Sequence, residues 1–532
     1  MHKYLVLPLF LILTTLSYAQ PEKFRLTYRD DPSTSMVVGW SGLSGILYYD
    51  TIDNGTNWAA YANSQNIDRT TSHKALNNHF VRLSGLQPNK VYYFVVRDAS
   101  NNVTPRYSFM TLSDDPNDPM SFVSGGDSRQ AVFPESCNCR AARQEGNRLI
   151  AKIRPDFIAF NGDYIRNYDV PFTYDSEDDW EDWFTDWELT VGPDGRMTPM
   201  VHTLGNHEDA VDMDKLFDVS NPSVYYATNF GGGLFRLYTL NSEEDACTNT
   251  TQTTWFTNDL QQHNTPSNTP HWKIVQYHRP MVPHVTGAIG GIVTYSPDQD
   301  MIDCWAPLLE PNDVRLVLES HAHVLKTTYG LKYSTAAGNH EKLIRDDTTG
   351  AVFLGDGSWG APLRTPITPI PNFTRDVESL DGFFFIEVNP DSIEIRTVLF
   401  QNVASMGQLT DDVQGSGLPS GATIWQPAND TVIVIRKYPT ITSTFEPINN
   451  AEKTATIAPN PAQEVVTVQF KQTLNEEVTI EVYDAKGQKC QSFMNVRDQN
   501  FKLDVSKLCS GVNYIHIVSK NDVEAHKLII AR

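Results

Sequence analysis

Five times between Phe122 and His323 a short apolar run stops at a side chain able to bind a metal ion. Phe122-Val123-Ser124-Gly125-Gly126 leads to Asp127, and Phe157-Ile158-Ala159-Phe160-Asn161-Gly162 leads to Asp163. Met200-Val201-His202-Thr203-Leu204-Gly205 leads to Asn206, Lys273 to Tyr277 leads to His278, and Arg315 to Ser320 leads to the pair His321 and His323. Such runs read as strands buried on both faces. The C-terminal end of a buried strand is where open α/β sheets place their ligands. One Gly-Asp after an apolar run is an ordinary turn, whereas six N/O donors at equivalent strand ends point to a single cluster. Strand residues alternate sides, so His321 and His323 are expected to face the same way. Carboxylate, amide and imidazole donors together suit iron, manganese or zinc.

These strands alternate with helical periodicity. Leu149, Ile150 and Ile153 share one side of a helix predicted over residues 141–153, which makes the central part α/β. The chain of 532 residues is too long for one core, so further domains are expected on both sides. Residues 20–112 are all-β, with short runs such as Met36 to Trp40 and Val91 to Val96 between Asp/Pro/Ser/Gly turns, as in a small sandwich. A turn-rich joint, Ser113 to Pro119, precedes the α/β block at 118–438, which a β-hairpin at Phe383 to Val398 and one more strand at Thr431 to Ile435 close. A polar linker spans 439–453. Residues 454–532 form another β-sandwich.

The first 19 residues read as a signal peptide. His2-Lys3 is basic, Leu5 to Leu13 is apolar but too short to span a bilayer, and Ser17-Tyr18-Ala19 offers a cleavage site. No later stretch is long and apolar enough for a transmembrane helix, so a secreted or cell-surface protein is expected. The formal net charge of -22 argues against nucleic-acid backbones and anionic membranes as partners. An exported chain leaves its six cysteines free to oxidise. Cys490 and Cys509 can pair, while Cys137 and Cys139 are too close in sequence to pair easily and are expected to reach distant partners. A cysteine zinc site lacks its Cys-x-x-Cys spacing. Trp180, Trp183, Phe184 and Trp187 recur at helical spacing, as an amphipathic helix docked on the domain or as an aromatic substrate platform.

The ordered set Gly-Asp, Gly-Asp, Gly-Asn-His-Glu, His and x-His-x-His resembles the calcineurin-like metallophosphoesterase superfamily. Leu26-Thr27-Tyr28 with Asp31 to Trp40 resembles the fibronectin type III-like N-terminal domain of purple acid phosphatases, with Trp40 as its core tryptophan. The segment from Ala458-Pro459-Asn460-Pro461 to Gly511-Val512-Asn513-Tyr514 resembles the sorting domain of type IX secretion cargo, so the type IX machinery is an expected partner; a generic carbohydrate- or surface-binding module is the other reading. The resemblance implies a central α/β/β/α sandwich holding two metal ions. Asp127, Asp163 and His323 would hold the first, and Asp163, Asn206, His278 and His321 the second, with Asp163 bridging. A hydroxide on the metals would attack a phosphate monoester in line. His207 would contact the phosphoryl oxygens or leaving group, and His284 is a candidate general acid.

The sequence departs from the family pattern in three places. Arg129 stands where many members have a histidine ligand, Arg166 occupies the slot of the ligand tyrosine, and Ser320 replaces a glycine. Both arginines could clamp phosphate oxygens or form ion pairs. Tyr164 follows Asp163 directly and, in an extended chain, would point to the opposite side. Gly338-Asn339-His340-Glu341 repeats the third motif out of order and reads as a loop outside the core, and the Gly-rich Leu354 to Gly360 reads as a tight turn that could border the pocket. The leading expectation is a secreted phosphomonoesterase. A phosphodiesterase or nucleotidase could use the same cage, and a surface binding protein with a degenerate site is the reading from another class.

Overall fold

The computed structural model describes residues 20–531 except 131–136, 167–175, 266, 287–295, 337–340, 356, 438–453, 475–476, 485–488, 509 and 520–522. The signal-peptide segment, the linker and Gly338-Asn339-His340 therefore lie outside the described residues. The chain forms two compact units, Met1–Lys437 and Tyr438–Arg532.

In the first unit, β1 (Glu22–Thr27), β2 (Ser35–Ser41) and β3 (Leu76–Ser84) are antiparallel neighbours, and Trp40 between them is fully buried against Phe24. Next come β4 (Met120–Gly125), α1 (Cys139–Ile153), β5 (Phe157–Phe160), α2 (Ser176–Trp187), β6 (Met200–His202) and α3 (Ala210–Phe217). Strands β4, β5 and β6 run parallel, and β1 joins β6 in the same direction through Thr27 and Met200. One sheet thus runs from the all-β block into the α/β block, across the joint at Ser113 to Pro119.

A second sheet contains β7 (Phe235–Thr239), β8 (Trp272–Gln276), β9 (Val314–Glu319), β10 (Leu325–Tyr333) and β11 (Ala351–Gly355), in the order β7-β8-β9-β11-β10. The first four in that order are parallel. The two sheets meet through stacked phenylalanines: Phe122 on Phe157, Phe157 on Phe230, and Phe230 on Phe235, with ring centroids 4.4–4.7 Å apart. Runs apolar on both faces are what such strands need, because helices or a second sheet cover each side. The hairpin Gly382–Val388 and Ser392–Leu399 lies against β4, and Ile433–Arg436 pairs with its second strand.

Helix α1 buries Leu149, Ile150 and Ile153 as its periodicity requires. On α2, Trp180, Trp183, Phe184 and Trp187 are buried among Phe160, Tyr164 and Phe217, so the helix is docked and presents no aromatic platform to solvent. The cysteine expectation fails at one place. Cys137 and Cys139 are bonded to each other, their Cα atoms 5.2 Å apart, where the chain turns at Asn138 into α1. Cys247 pairs with Cys304, and Cys509 lies outside the described residues.

The second unit holds a sheet of Ala455–Ala458, Val465–Phe470 and Asn500–Asp504, and a sheet of Lys489–Val496, Val478–Asp484, Gly511–Val518 and Val523–Ile530. Val466, Ile480, Leu503, Ile515 and Leu528 fill its core. Among the described residues no helix is long and apolar enough to cross a membrane.

Candidate metal centre

All six donors stand just past the C-terminal ends of parallel strands, three from each sheet. They form two groups that share one carboxylate: Asp127, Asp163 and His323 in one, Asp163, His278 and His321 in the other, each with ligand atoms within 4.8 Å of one another. Asn206 joins the second, its Oδ1 lying 3.1 Å from His278 Nε2.

Tight backbone packing makes this convergence possible. Asp127 N donates to Gly162 O and Ser128 N to Asp163 O, which laces the first two loops together. Gly162 has φ +85° and abuts Gly205 and His278 Nδ1, so no side chain fits there. Gly357, φ +130°, packs as closely against His323 and the Asp127 carboxylate. The Gly-rich stretch therefore does border the site.

The ring orientations are fixed from outside the cage. His278 Nδ1 donates to Asn161 O at 2.8 Å and His323 Nδ1 to Pro362 O at 2.7 Å, leaving both Nε2 atoms as lone pairs. His278 Nε2 faces Asp163 Oδ1 at 3.3 Å and His321 Nδ1 at 3.2 Å; His323 Nε2 faces Asp127 Oδ1 at 3.2 Å. Asp127 Oδ1 and Asp163 Oδ2 accept no hydrogen bond among the described residues. Burial pushes His321 well below the usual imidazole range and His323 down to about 4, so the rings face these acceptors uncharged. Burial and the neighbouring Asp127 raise Asp163; at Asp127 burial pushes the same way, but the groups around it, the imidazoles and the Ser320 hydroxyl, together hold it low. Buried lone pairs converging on one another are unfavourable unless cations lie between them. The residues present therefore fit two metal ions.

The sequence reading of His321 and His323 as neighbours on an extended strand does not hold. β9 ends at Glu319, and the two histidines have φ of +68° and +54°. The turn sends them to different groups. Asp163 has φ +55°, so Tyr164 is not opposed to it by strand alternation either. Tyr164 is nonetheless directed away, stacked on Phe160 with its hydroxyl 3.0 Å from His202 Nδ1.

The four catalytic candidates separate. Arg129 stands at the cage, Nε 3.6 Å from Asp163 Oδ2 and Nη2 3.4 Å from His323 Nε2, with its side chain 11% exposed. His207 also faces Asp163, Nε2 at 3.6 Å from Oδ2, while its Nδ1 is held by Arg166 O. The Arg166 guanidinium lies instead 3.6 Å from Asp179 on α2 and is buried, which is the ion-pair alternative. His284 does not join the donors. Its ring nitrogens bond Val282 O and Thr374 Oγ1, and it lines a separate small cavity with Glu319 and Lys326.

Two residues with roles here carried no signal in the strand-end pattern. Glu208 is buried, and its carboxylate accepts from the backbone N–H of Asp163, Gly205 and Ile165, tying the second and third loops. Ser320 donates to Asp127 Oδ2 at 2.6 Å, next to the His321 N–H on the same oxygen, which turns Oδ1 toward the cage. The departure from glycine at 320 is matched by Gly126, where a Cβ would meet Ser320 Oγ at 2.5 Å.

Comparison with known proteins follows the same division of the chain. Residues 21–111 match the profile of the purple acid phosphatase N-terminal domain, residues 137–325 that of calcineurin-like phosphoesterases, and residues 456–531 that of the secretion system C-terminal sorting domain. No curated protein sequence matches significantly. Among solved structures, the purple acid phosphatase PPD1 from yellow lupin (Lupinus luteus) seeds superposes with a TM-score of 0.56 at 15% identity, over 74% of this chain and 74% of that one. PhoD superposes with a TM-score of 0.55 at 13% identity, over 80% of this chain and 94% of that one. At these identities the likeness is one of fold.

Proposed function

We propose that this chain, a phosphoesterase hydrolase built on a calcineurin-like phosphoesterase domain, cleaves phosphate monoesters outside the cytoplasm with two divalent metal ions. The observation that carries the reading is the convergence of imidazole nitrogens and carboxylate oxygens about Asp163. Asp127, Asp163 and His323 would hold one ion; Asp163, Asn206, His278 and His321 would hold the other. When bound, the ions supply positive charge for the phosphoryl oxygens and make a water acidic enough to attack phosphorus near neutral pH. Arg129, at the mouth, grips phosphoryl oxygens with its guanidinium. His207 is fixed by Arg166 O so that Nε2 faces the ester oxygens or the leaving group. Glu208 and Ser320 hold the loops that carry Asp163 and Asp127.

The layering belongs to the same proposal: a fibronectin type III-like first domain, a central α/β/β/α sandwich, and a C-terminal β-sandwich, supported by the phenylalanine stack between the two central sheets. The sorting domain marks the chain for export. We read it as type IX cargo, delivered after removal of the first 19 residues, and we place domain limits at 20–112, 118–438 and 454–532. The test is a panel of chromogenic phosphate monoesters and diesters, assayed before and after chelation, with metal analysis of the purified protein. Monoester turnover lost on chelation and restored by zinc or manganese is expected. Turnover that survives complete chelation would sink the proposal, and diester turnover alone would move the substrate class.

A further inference from the structure

The loops that carry the imidazole donors are fastened to each other by a buried ion pair outside the cage. Glu319 is the last residue of β9 and Lys326 the second of β10, and the segment between them carries His321 and His323. Both side chains are buried and bonded, Lys326 Nζ to Glu319 Oε2. Glu319 Oε1 accepts from the Tyr277 hydroxyl at 3.0 Å and from the Met281 N–H at 2.9 Å, residues on either side of His278. Lys326 Nζ also lies 3.3 Å from Val282 O. One ion pair thus bonds both flanks of His278 and both ends of the His321/His323 segment.

A glycine makes the pair possible. β11 lies between β9 and β10, and its Gly355 is the register partner of both Glu319 and Lys326. A Cβ at Gly355 would sit 2.6 Å from Lys326 Cε. The adjoining cavity is about 10 Å³, space for about one water. Bulk solvent does not reach the buried pair, so screening is weak. Buried ion pairs contribute little net stability, but they specify geometry where removing one partner strands a charge.

We infer that Glu319 and Lys326 are positioning residues for the ion held by Asp163, His278 and His321, because the pair sets the spacing of the two imidazoles whose facing nitrogens are 3.2 Å apart. The inference rests on the metal reading above. His323 is anchored separately, by Pro362 O and Asp127, so the other ion is less dependent on the pair.

The experiment is zinc titration of chelator-stripped protein by calorimetry, resolving two binding steps. Glu319→Leu with Lys326→Met replaces the pair by apolar side chains, which keeps the core filled and strands no charge. In that variant one step is expected to weaken about 10–100-fold, while the other stays within about threefold. Adding back an acceptor in Glu319→Gln with Lys326→Met recovers part of the loss, since the amide oxygen still serves Tyr277 and Met281. Tyr277→Phe, which removes one hydroxyl and leaves the core intact, weakens the same step about fivefold, and it decides alone if the double variant does not fold. Two unchanged steps, or equal losses in both, would overturn the positioning role. If the unaltered protein takes up no zinc, the metal reading fails first and this inference with it.

Discussion

Four of the six donors, Asp127, Asp163, His321 and His323, have φ between +54° and +68°, a backbone region that side chains other than glycine seldom adopt. Such positions cost about 1 kcal/mol or more each, and surrounding bonds must hold them, as Ser320, Glu208 and the laced loops do here. No residue type announces this in a sequence. Asp and His at a strand end are legible, whereas the left-handed turn that sends His321 and His323 to separate donor groups is not. Replacing Asp163 by Asn should remove turnover and lower content of both metals while the protein stays folded; normal activity with normal metal content would dissolve the shared-carboxylate assignment. Arg129→Ala should raise KM about tenfold, the worth of one charge-assisted hydrogen bond, with a smaller change in kcat. Arg166→Ala should instead lower melting temperature, since its partner is Asp179. A fourth test concerns Asp156, whose carboxylate accepts from Ser121 N and Gly415 N and is pushed up by burial to about 6, from 3.8. The folded state therefore binds the proton more tightly, and this group's stabilising contribution is complete below pH about 4 and lost as pH rises through 6. Asp156→Asn keeps an oxygen for both N–H groups, so its stability relative to the parent should improve between pH 4 and 7 in urea titrations. A constant difference across that range would refute the assignment.

At the scale of elements, the long periodic pieces were legible because burial on one face or both leaves its period in the sequence: β5 as a fully apolar run, α1 and α2 as stripes. What stayed hidden depends on which elements the fold brings side by side. Arg166 could be a clamp or an ion-pair residue until α2 placed Asp179 beside it, and His284 looked close to the cage only because it lies six residues after His278. Helix α3 is the clearest example. It starts at Ala210, two residues after Glu208, and the Asp209 side chain between them caps it in a capping box with Asp212. Its last turn leads to Asp218, fully buried and met by Arg29, Arg69 and Arg82 of the all-β block. Asp218→Ala should cost roughly 2–3 kcal/mol, below the ~3–5 of a fully buried pair because the arginines keep some water. Chemical denaturation would show this, and a change under about 0.5 kcal/mol would mark the cluster as incidental.

Across the whole molecule, the second unit has its own core and its own two sheets. A chain ending at Lys437 should therefore fold and keep the turnover of the full protein, while losing export. Inactive yet well-folded shortened protein would contradict the division of labour between catalysis and address. The purified protein should also be colourless, because Tyr164 is committed to His202 and Arg166 stands in the tyrosine slot; an intense visible iron–tyrosinate band would contradict the donor set. No comparable cut exists at the other end. Residues 21–111 and 137–325 match two separate families, yet β1 continues the sheet of β6 and three arginines of the first block surround a carboxylate of the second. The boundary between them is one of ancestry rather than of assembly. Any graft that exchanges the first block for a relative's must therefore carry matching arginines and a matching strand edge, or it leaves a buried carboxylate and an open sheet behind.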